Sequence, residues 1–317
     1  MSFQQRLIVS CVIGLITGLV CGWYQQAFAN WGAGDVTMPL CMGEALWQGE
    51  DPYVVCRGFQ SDGVTPNTLN PVTTAIITLP LLPLPRPAAA GAFLGLSAAI
   101  LAWALTRRGE AWRLLTFLAF PFWAAVQTVQ WAPLLLAVYF WPALLALTLA
   151  KPHLGAAVAL NVPWRRWPVI VTVLLGLLSL LWMPNWPLAM LGGVGAPGDY
   201  RPPVLGLPGA LLLLAALRWR AREARLLLIL ALAPQRAFYD QLLVFGVVRT
   251  RRELLALIFT SWLCYLGWFL VPLSGIPWFI WLIYLPALVI VLRQGRLRSA
   301  TDAPPGSGAD FGSTRQG

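Results

Sequence analysis

Leu7-Ile8-Val9-Ser10-Cys11-Val12-Ile13-Gly14-Leu15-Ile16-Thr17-Gly18-Leu19-Val20-Cys21-Gly22-Trp23-Tyr24 carries no charged residue and directly follows Arg6. A hydrocarbon core takes roughly 20 helical residues to cross, so this run is long enough, or nearly so, for a span. Ala88 to Leu105, Val169 to Met183 and Leu255 to Val271 repeat the pattern. Lipid offers the backbone no hydrogen-bond partners, which forces such runs into helices. The whole chain agrees: 317 residues, 58% hydrophobic, 11% charged and rich in Trp, with 17. That composition excludes a soluble globular domain and predicts an all-α, polytopic integral membrane protein.

The first run has features of a secretory signal, with Arg6 before it and Ala27-Phe28-Ala29 after it. It is long for a signal core, and Leu19-Val20-Cys21 puts Val20 where a lipidation site needs a small residue. It reads as an uncleaved first span.

The net charge of +10 comes almost entirely from Arg. The basic residues lie in short clusters between apolar runs and line no single surface, so they read as topology signals and not as a nucleic-acid footprint. The clusters are Arg107, Arg108 and Arg113; Lys151, Arg165 and Arg166; Arg218, Arg220, Arg222 and Arg225; Arg249, Arg251 and Arg252; and Arg293, Arg296 and Arg298. With each cluster inside, about ten crossings follow, with both termini cytoplasmic, in a plasma membrane of bacterial type. The count requires that Asn70 to Pro85, broken by Pro71, Pro80, Pro83 and Pro85, enter the membrane only partway. Residues 1–298 then form one transmembrane domain, with residues 25–70 as an outer loop. Residues 299–317, rich in Gly, Ser, Pro and Thr, read as a disordered cytoplasmic tail.

Five of the 12 acidic residues, Asp35, Glu44, Glu50, Asp51 and Asp62, fall in that outer loop. Asp35 opens the polar stretch just past the first span, where a carboxylate would meet a substrate arriving from the bilayer. Cys41 and Cys56 share the loop; an oxidising compartment permits a disulfide there, and simple burial explains them as well. Cys11, Cys21 and Cys264 lie in apolar spans as packing residues.

Absent motifs narrow the chemistry. The single His, His153, cannot build a His-based metal centre, and there is no Cys-x-x-Cys, His-Glu-x-x-His, Asp-x-Asp or Gly-Lys-Ser/Thr run. An enzyme of this composition draws an activated substrate from the membrane.

Several segments carry a family pattern. Asp35, Ala45-Leu46 and Gly49-Glu50-Asp51-Pro52-Tyr53 form a first outer loop. Val129-Gln130-Trp131 precedes an apolar run, followed by Lys151-Pro152-His153-Leu154-Gly155, Arg165-Arg166-Trp167, Pro184-Asn185-Trp186, Ala233-Pro234 and Tyr239-Asp240. In this order and at these spacings they resemble the family 87 glycosyltransferases, the polyprenol-phosphate-mannose-dependent group of the GT-C superfamily. The resemblance runs from Asp35 to about Phe245. The chain departs from the pattern at Leu69-Asn70-Pro71, at Val129 where the family carries Gly, and at Phe238 where some members carry His.

The resemblance implies a helical bundle of GT-C type with an amphipathic outer-loop helix. It further implies transfer of a sugar, mannose in that family, from a polyprenyl phosphate to a glycan or glycolipid acceptor on the extracytoplasmic face. Asp35 would be the base that takes the acceptor proton during inverting attack. The alternative for Asp35 is an N-cap of the helix that begins near Val36. Arg57, Arg201 and Arg236 are the cations available on the outer side for the leaving phosphate. Arg236, after Pro234, is the foremost of them, and an interfacial arginine also serves as a snorkelling anchor. Gln130, Asp240, Tyr239 and Glu44 complete the candidate substrate contacts, and Gln130 and Asp240 can equally satisfy neighbouring backbone groups. Asp199-Tyr200-Arg201 reads as a loop wall over the site. Lys151 falls inside on the charge rule, as an inner-leaflet anchor away from the donor. The chemistry calls for no cofactor and leaves room for a divalent ion beside the acidic loop. A different class of protein fits the same span pattern: a non-catalytic carrier or flippase for a lipid-linked sugar, which the lack of an internal repeat disfavours.

Overall fold

The computed structural model describes residues 1–30, 32–56, 70–192, 201–236, 238–271 and 277–301. Among these the chain is helical, with no strand and one isolated antiparallel bridge between Arg201 and Gln235. The α-helices are α1 (Phe3–Ala27), α2 (Thr37–Gln48), α3 (Pro52–Val55), α4 (Val72–Thr78), α5 (Arg86–Thr106), α6 (Phe120–Thr128) and α7 (Ala132–Phe140). They continue with α8 (Pro152–Ala159), α9 (Arg166–Trp182), α10 (Trp186–Gly192), α11 (Arg222–Leu232), α12 (Arg251–Leu270) and α13 (Leu285–Thr301). Stretches of 3-10 helix at Ala111–Leu118, Pro142–Ala150, Gly209–Arg218 and Asp240–Val247 lie between them.

Among the described residues three helices are long and apolar enough to cross a membrane: α1, α5 and α12. The expectation of about ten crossings is corrected, because prolines divide the remaining apolar sequence. The run after Gln130 is the clearest case. Trp141 (φ −131°, ψ 83°) and Lys151 (φ −141°, ψ 77°) each precede a proline, and each leaves the helical region as pre-proline sterics require. One apolar run therefore becomes α7, a 3-10 segment and α8. The run at Val169 to Met183 is the 17-residue helix α9.

α1 and α5 are antiparallel neighbours in close contact. Gly14 faces Gly95 and Ala99, Gly18 faces Gly91 and Gly95, and Gly22 faces Pro87 and Gly91. A Cβ at Gly18 would stand 2.8 Å from the Gly91 carbonyl oxygen, so the backbones meet at a distance only glycine allows. At the far end Phe3 packs edge-on to Trp103, and the Arg6 guanidinium lies 5.0 Å from the same ring. The segment between α1 and α5 thus leaves and returns at one end of the bundle. Its helix α4, seven residues and about 10 Å long, is far too short to cross.

α5 is the central member. Its Leu94 and Leu101 are fully buried with Leu135 and Leu136 of α7, Leu226 and Leu227 of α11 and Leu242. α1 and α12 instead turn large apolar side chains outward, with Leu19 65% and Phe269 64% exposed. Apolar exposure on this scale needs a non-aqueous neighbour.

The two ends of the bundle differ in charge. At the end where α1 begins, Arg107 stacks on Trp141 and Arg113 donates to the Val248 carbonyl at 2.9 Å and to Glu110 at 2.7 Å. Arg222 donates to the Tyr139 carbonyl, Arg225 to Asn161 and Arg249 to Glu223 at the same end. The opposite end carries the outer loop, where Cys41 and Cys56 form a disulfide. There Gly49 (φ 76°) stops α2, and Asp51 caps α3 by accepting the Tyr53 N–H at 2.8 Å, with Pro52 in the first turn. Pro52-Tyr53 therefore opens a second short helix in the loop. Of the tail expected from Ser299, residues 299–301 belong to α13, and residues 302–317 lie outside the described residues.

Candidate functional site

Asp35 sits in a single 3-10 turn, Gly34–Val36, between α1 and α2. The turn is docked on the end of α6. Gly34 has φ +51°, and a Cβ there would lie 2.5 Å from the Thr128 carbonyl oxygen, so glycine is required by both conformation and space. On the other side of this contact Val129 closes α6 with φ 55° and ψ 62°. A β-branched residue in the left-handed region is strained. The turn aims Gln130 back over the helix end, with its backbone N–H on the Ala125 carbonyl at 2.9 Å.

From there a continuous polar path runs through the buried end of the bundle. Gln130 Nε2 donates to Asp35 Oδ2, and Gln130 Oε1 accepts from Lys151 Nζ at 3.4 Å. The amide orientation is determined from both sides, since only the NH2 can face a carboxylate and only the oxygen can face an ammonium. Lys151 Nζ donates to Asp240 Oδ1 at 2.7 Å, and Asp240 Oδ2 accepts the Arg236 backbone N–H at 3.0 Å. The Tyr239 ring lies 5.1 Å from the Lys151 ammonium. Gln130, Lys151, Tyr239 and Asp240 are buried, while Asp35 and Arg236 are half-buried.

The electrostatics of Asp35 are a balance. Burial raises its carboxyl above the ordinary value, because packed groups around it replace water. The Gln130 hydrogen bond and the charges of Lys151 and Arg236 oppose that rise, and Asp240 adds to it. His153, the second residue of α8, is pushed down to about 4 by burial and by the Lys151 charge, and stays neutral near pH 7.

The sequence-derived candidates divide. Asp35, Gln130, Asp240, Tyr239 and Arg236 come together. Arg201 reaches the same region through its backbone, which pairs with Gln235 (N–H to carbonyl 3.2 and 3.3 Å), and its side chain is exposed. Glu44 stands apart: it is exposed and takes both of its hydrogen bonds from Arg86, at 2.9 and 3.0 Å. Arg57, Asp62, Asp199 and Tyr200 lie outside the described residues. The capping alternative for Asp35 is not realised, since α2 has no side-chain cap and the Asp35 carboxylate accepts from Gln130.

Lys151 is the residue that sequence reasoning misplaced. It was grouped with Arg165 and Arg166 on the basic side, yet α8 separates them. α8 begins beside the Asp35 cluster and ends next to Asn161, which accepts from Arg225 of the basic end. A second unforeseen contributor is Gln25, fully buried near the end of α1, whose Nε2 donates to the Gln127 carbonyl at 2.7 Å. Among the described residues no group of three or more His, Cys, Asp and Glu side chains stands close enough to hold a metal ion.

In comparisons with known proteins, no family model, curated protein sequence or solved structure matches this chain.

Proposed function

We propose that this chain is a membrane glycosyltransferase of GT-C type, which moves a sugar, mannose by resemblance, from a polyprenyl phosphate to a glycan or glycolipid hydroxyl. The single observation that carries the reading is the Asp35–Gln130 contact at the end of the bundle opposite Arg107, Arg113, Arg222 and Arg249, joined through Lys151 to Asp240 and Arg236. On this reading the basic end faces the cytoplasm and the Asp35 end the extracytoplasmic side, with α1, α5 and α12 in the bilayer. A disulfide at the Asp35 end is in keeping with an oxidising compartment on that side.

The arrangement supports one inverting displacement. The Asp35 carboxylate takes the proton of the acceptor hydroxyl as its oxygen bonds to the anomeric carbon. The bond from that carbon to the phosphate oxygen breaks on the opposite face, and the electron pair leaves with the polyprenyl phosphate. The departing group gains negative charge, which the Arg236 guanidinium offsets, with Lys151 adding positive charge from behind. Gln130 positions the base: it holds the carboxylate on one side and is itself held by Lys151 on the other.

The test is transfer from radiolabelled polyprenyl-phospho-mannose by protein reconstituted in lipid, wild type beside Asp35→Asn, over a panel of glycan and glycolipid acceptors. Loss of transfer with donor binding retained is the expected result. Equal transfer by both proteins removes Asp35 from the chemistry. Movement of the lipid-linked sugar across the bilayer without transfer, in both proteins, would replace the enzyme by a carrier.

A further inference from the structure

A groove of about 500 Å³ lies far from Asp35, at the basic end, lined by Ala111, Trp112, Leu114, Leu115, Leu118 and Arg251. Its apolar wall follows from helix type. Ala111–Leu118 is a 3-10 helix, in which side chains three apart eclipse one another, so Trp112, Leu115 and Leu118 stack in a straight ridge. Arg113 and Thr116 then turn inward, and both are buried.

The ridge runs alongside α12 from one level of the bundle to another. At its basic end Arg113 binds Glu110 and the Val248 carbonyl, close to the start of α12. At its other end the Leu118 carbonyl accepts from Trp262 Nε1 at 2.8 Å. Arg251 to Trp262 is about 16 Å of helix, which is about the hydrocarbon depth of one leaflet, half of roughly 30 Å.

The charge at the mouth completes the case. Arg113, Arg222 and Arg249 are each engaged by a carboxylate or a carbonyl. Arg251 is exposed and has no ion pair or hydrogen bond among the described residues, and Arg252 beside it is exposed as well. An unneutralised guanidinium at the rim of a leaflet-deep apolar groove is complementary to a lipid that carries its negative charge at one end of a hydrocarbon chain.

We infer that this groove holds an anionic glycerophospholipid of the leaflet at the basic end, its phosphate on Arg251 and one acyl chain along Trp112, Leu115 and Leu118. The inference rests on the bilayer placement proposed above but not on the glycosyl-transfer chemistry.

The probe is phosphatidylglycerol, present as a minority in nanodiscs of phosphatidylcholine, with retained lipid counted by native mass spectrometry of the full chain. Wild type is expected to retain phosphatidylglycerol above its share of the bilayer. Arg251→Gln should lower that retention about fivefold and leave phosphatidylcholine retention unchanged. Leu115→Trp, which fills the groove, should lower the retention of both lipids. Equal retention of phosphatidylglycerol by wild type and Arg251→Gln overturns the inference, as does displacement of the bound lipid by polyprenyl phosphate. A Leu115→Trp protein with an unchanged thermal midpoint and undiminished lipid overturns the acyl-chain part. Recovery of the chain in solution without detergent removes the bilayer placement itself and is scored before any lipid is counted.

Discussion

Lys151 Nζ lies 2.7 Å from Asp240 Oδ1, with the Asp240 side chain completely buried and that of Lys151 only 10% exposed. The pair closes the inner end of the path from Asp35, and neither charge has bulk water to return to. Removing one partner leaves the other charge buried and uncompensated, which costs about 3–5 kcal/mol. Lys151→Met and Asp240→Leu are each expected to lower the thermal midpoint strongly. The double variant should recover much of the loss, because two apolar side chains bury no charge. Transfer activity should not recover with it. Midpoints of the four proteins in detergent, read as a double-mutant cycle, check this; equal losses that simply add would show that the two charges do not interact.

The raised carboxyl of Asp35 sets a pH dependence. On the proposed function Asp35 is the base and must be ionised, so transfer is expected to fall on the acid side with a midpoint above the ordinary Asp value of 3.8. Gln130→Leu removes a hydrogen bond that favours the ionised form and should move that acid limb to higher pH. A limb that stays where it was in Gln130→Leu would show that another group titrates.

Stability should run against activity at the same residue. Because the folded pKa of Asp35 is raised, its contribution to stability is full below the unfolded value and is lost as pH rises through the folded one. At pH 7 Asp35→Asn is therefore expected to raise the thermal midpoint while lowering transfer by about 10²–10⁴-fold. A lowered midpoint would mean that the carboxylate is a net structural asset.

Val129 offers a test of backbone strain. Its left-handed conformation costs a β-branched residue about 1–3 kcal/mol. Ala at this position loses packing and keeps the strain, whereas Gly loses slightly more packing and releases it. Val129→Gly should therefore be at least as stable as Val129→Ala, the reverse of their order in an ordinary helix. Thermal melts of the two variants decide it.

The α1–α5 contact should tolerate no side chain. Gly18→Ala places a carbon 2.8 Å from a carbonyl oxygen on the neighbouring helix, and an overpacking loss of about 1–3 kcal/mol is expected. Gly176 in α9 is the control, since its added carbon would meet only a leucine methyl at 3.9 Å. Gly176→Ala should be neutral or stabilising by up to about 1 kcal/mol.

Much of this architecture is legible in single residues. Uncharged runs predict α1, α5 and α12, since apolar length alone dictates helix. The breaks at Trp141 and Lys151 were readable too, because each precedes a proline, but the apolar continuity of the sequence on either side masks them. For the candidate site, Asp35 and Gln130 stand out as polar groups at turns between apolar runs. Nothing local says that Gln130 donates to Asp35 across 95 positions of sequence. Glu44 shares the loop and the charge of Asp35, and its pairing with Arg86 at the surface is not written in the local sequence.

By itself the sequence determined helicity, the apolar runs that form α1, α5, α9 and α12 and the gathering of five of the 12 acids in one loop, because these follow from the solvation of each side chain and from backbone hydrogen bonding along the chain. The tertiary structure decided that Lys151 stands with Asp35 and not with Arg165, that Cys41 is bonded to Cys56 and that α1 lies flush on α5. The physical reason is common to all three. Each depends on where short, proline-delimited helices return in space, and that is set by packing between residues far apart in sequence.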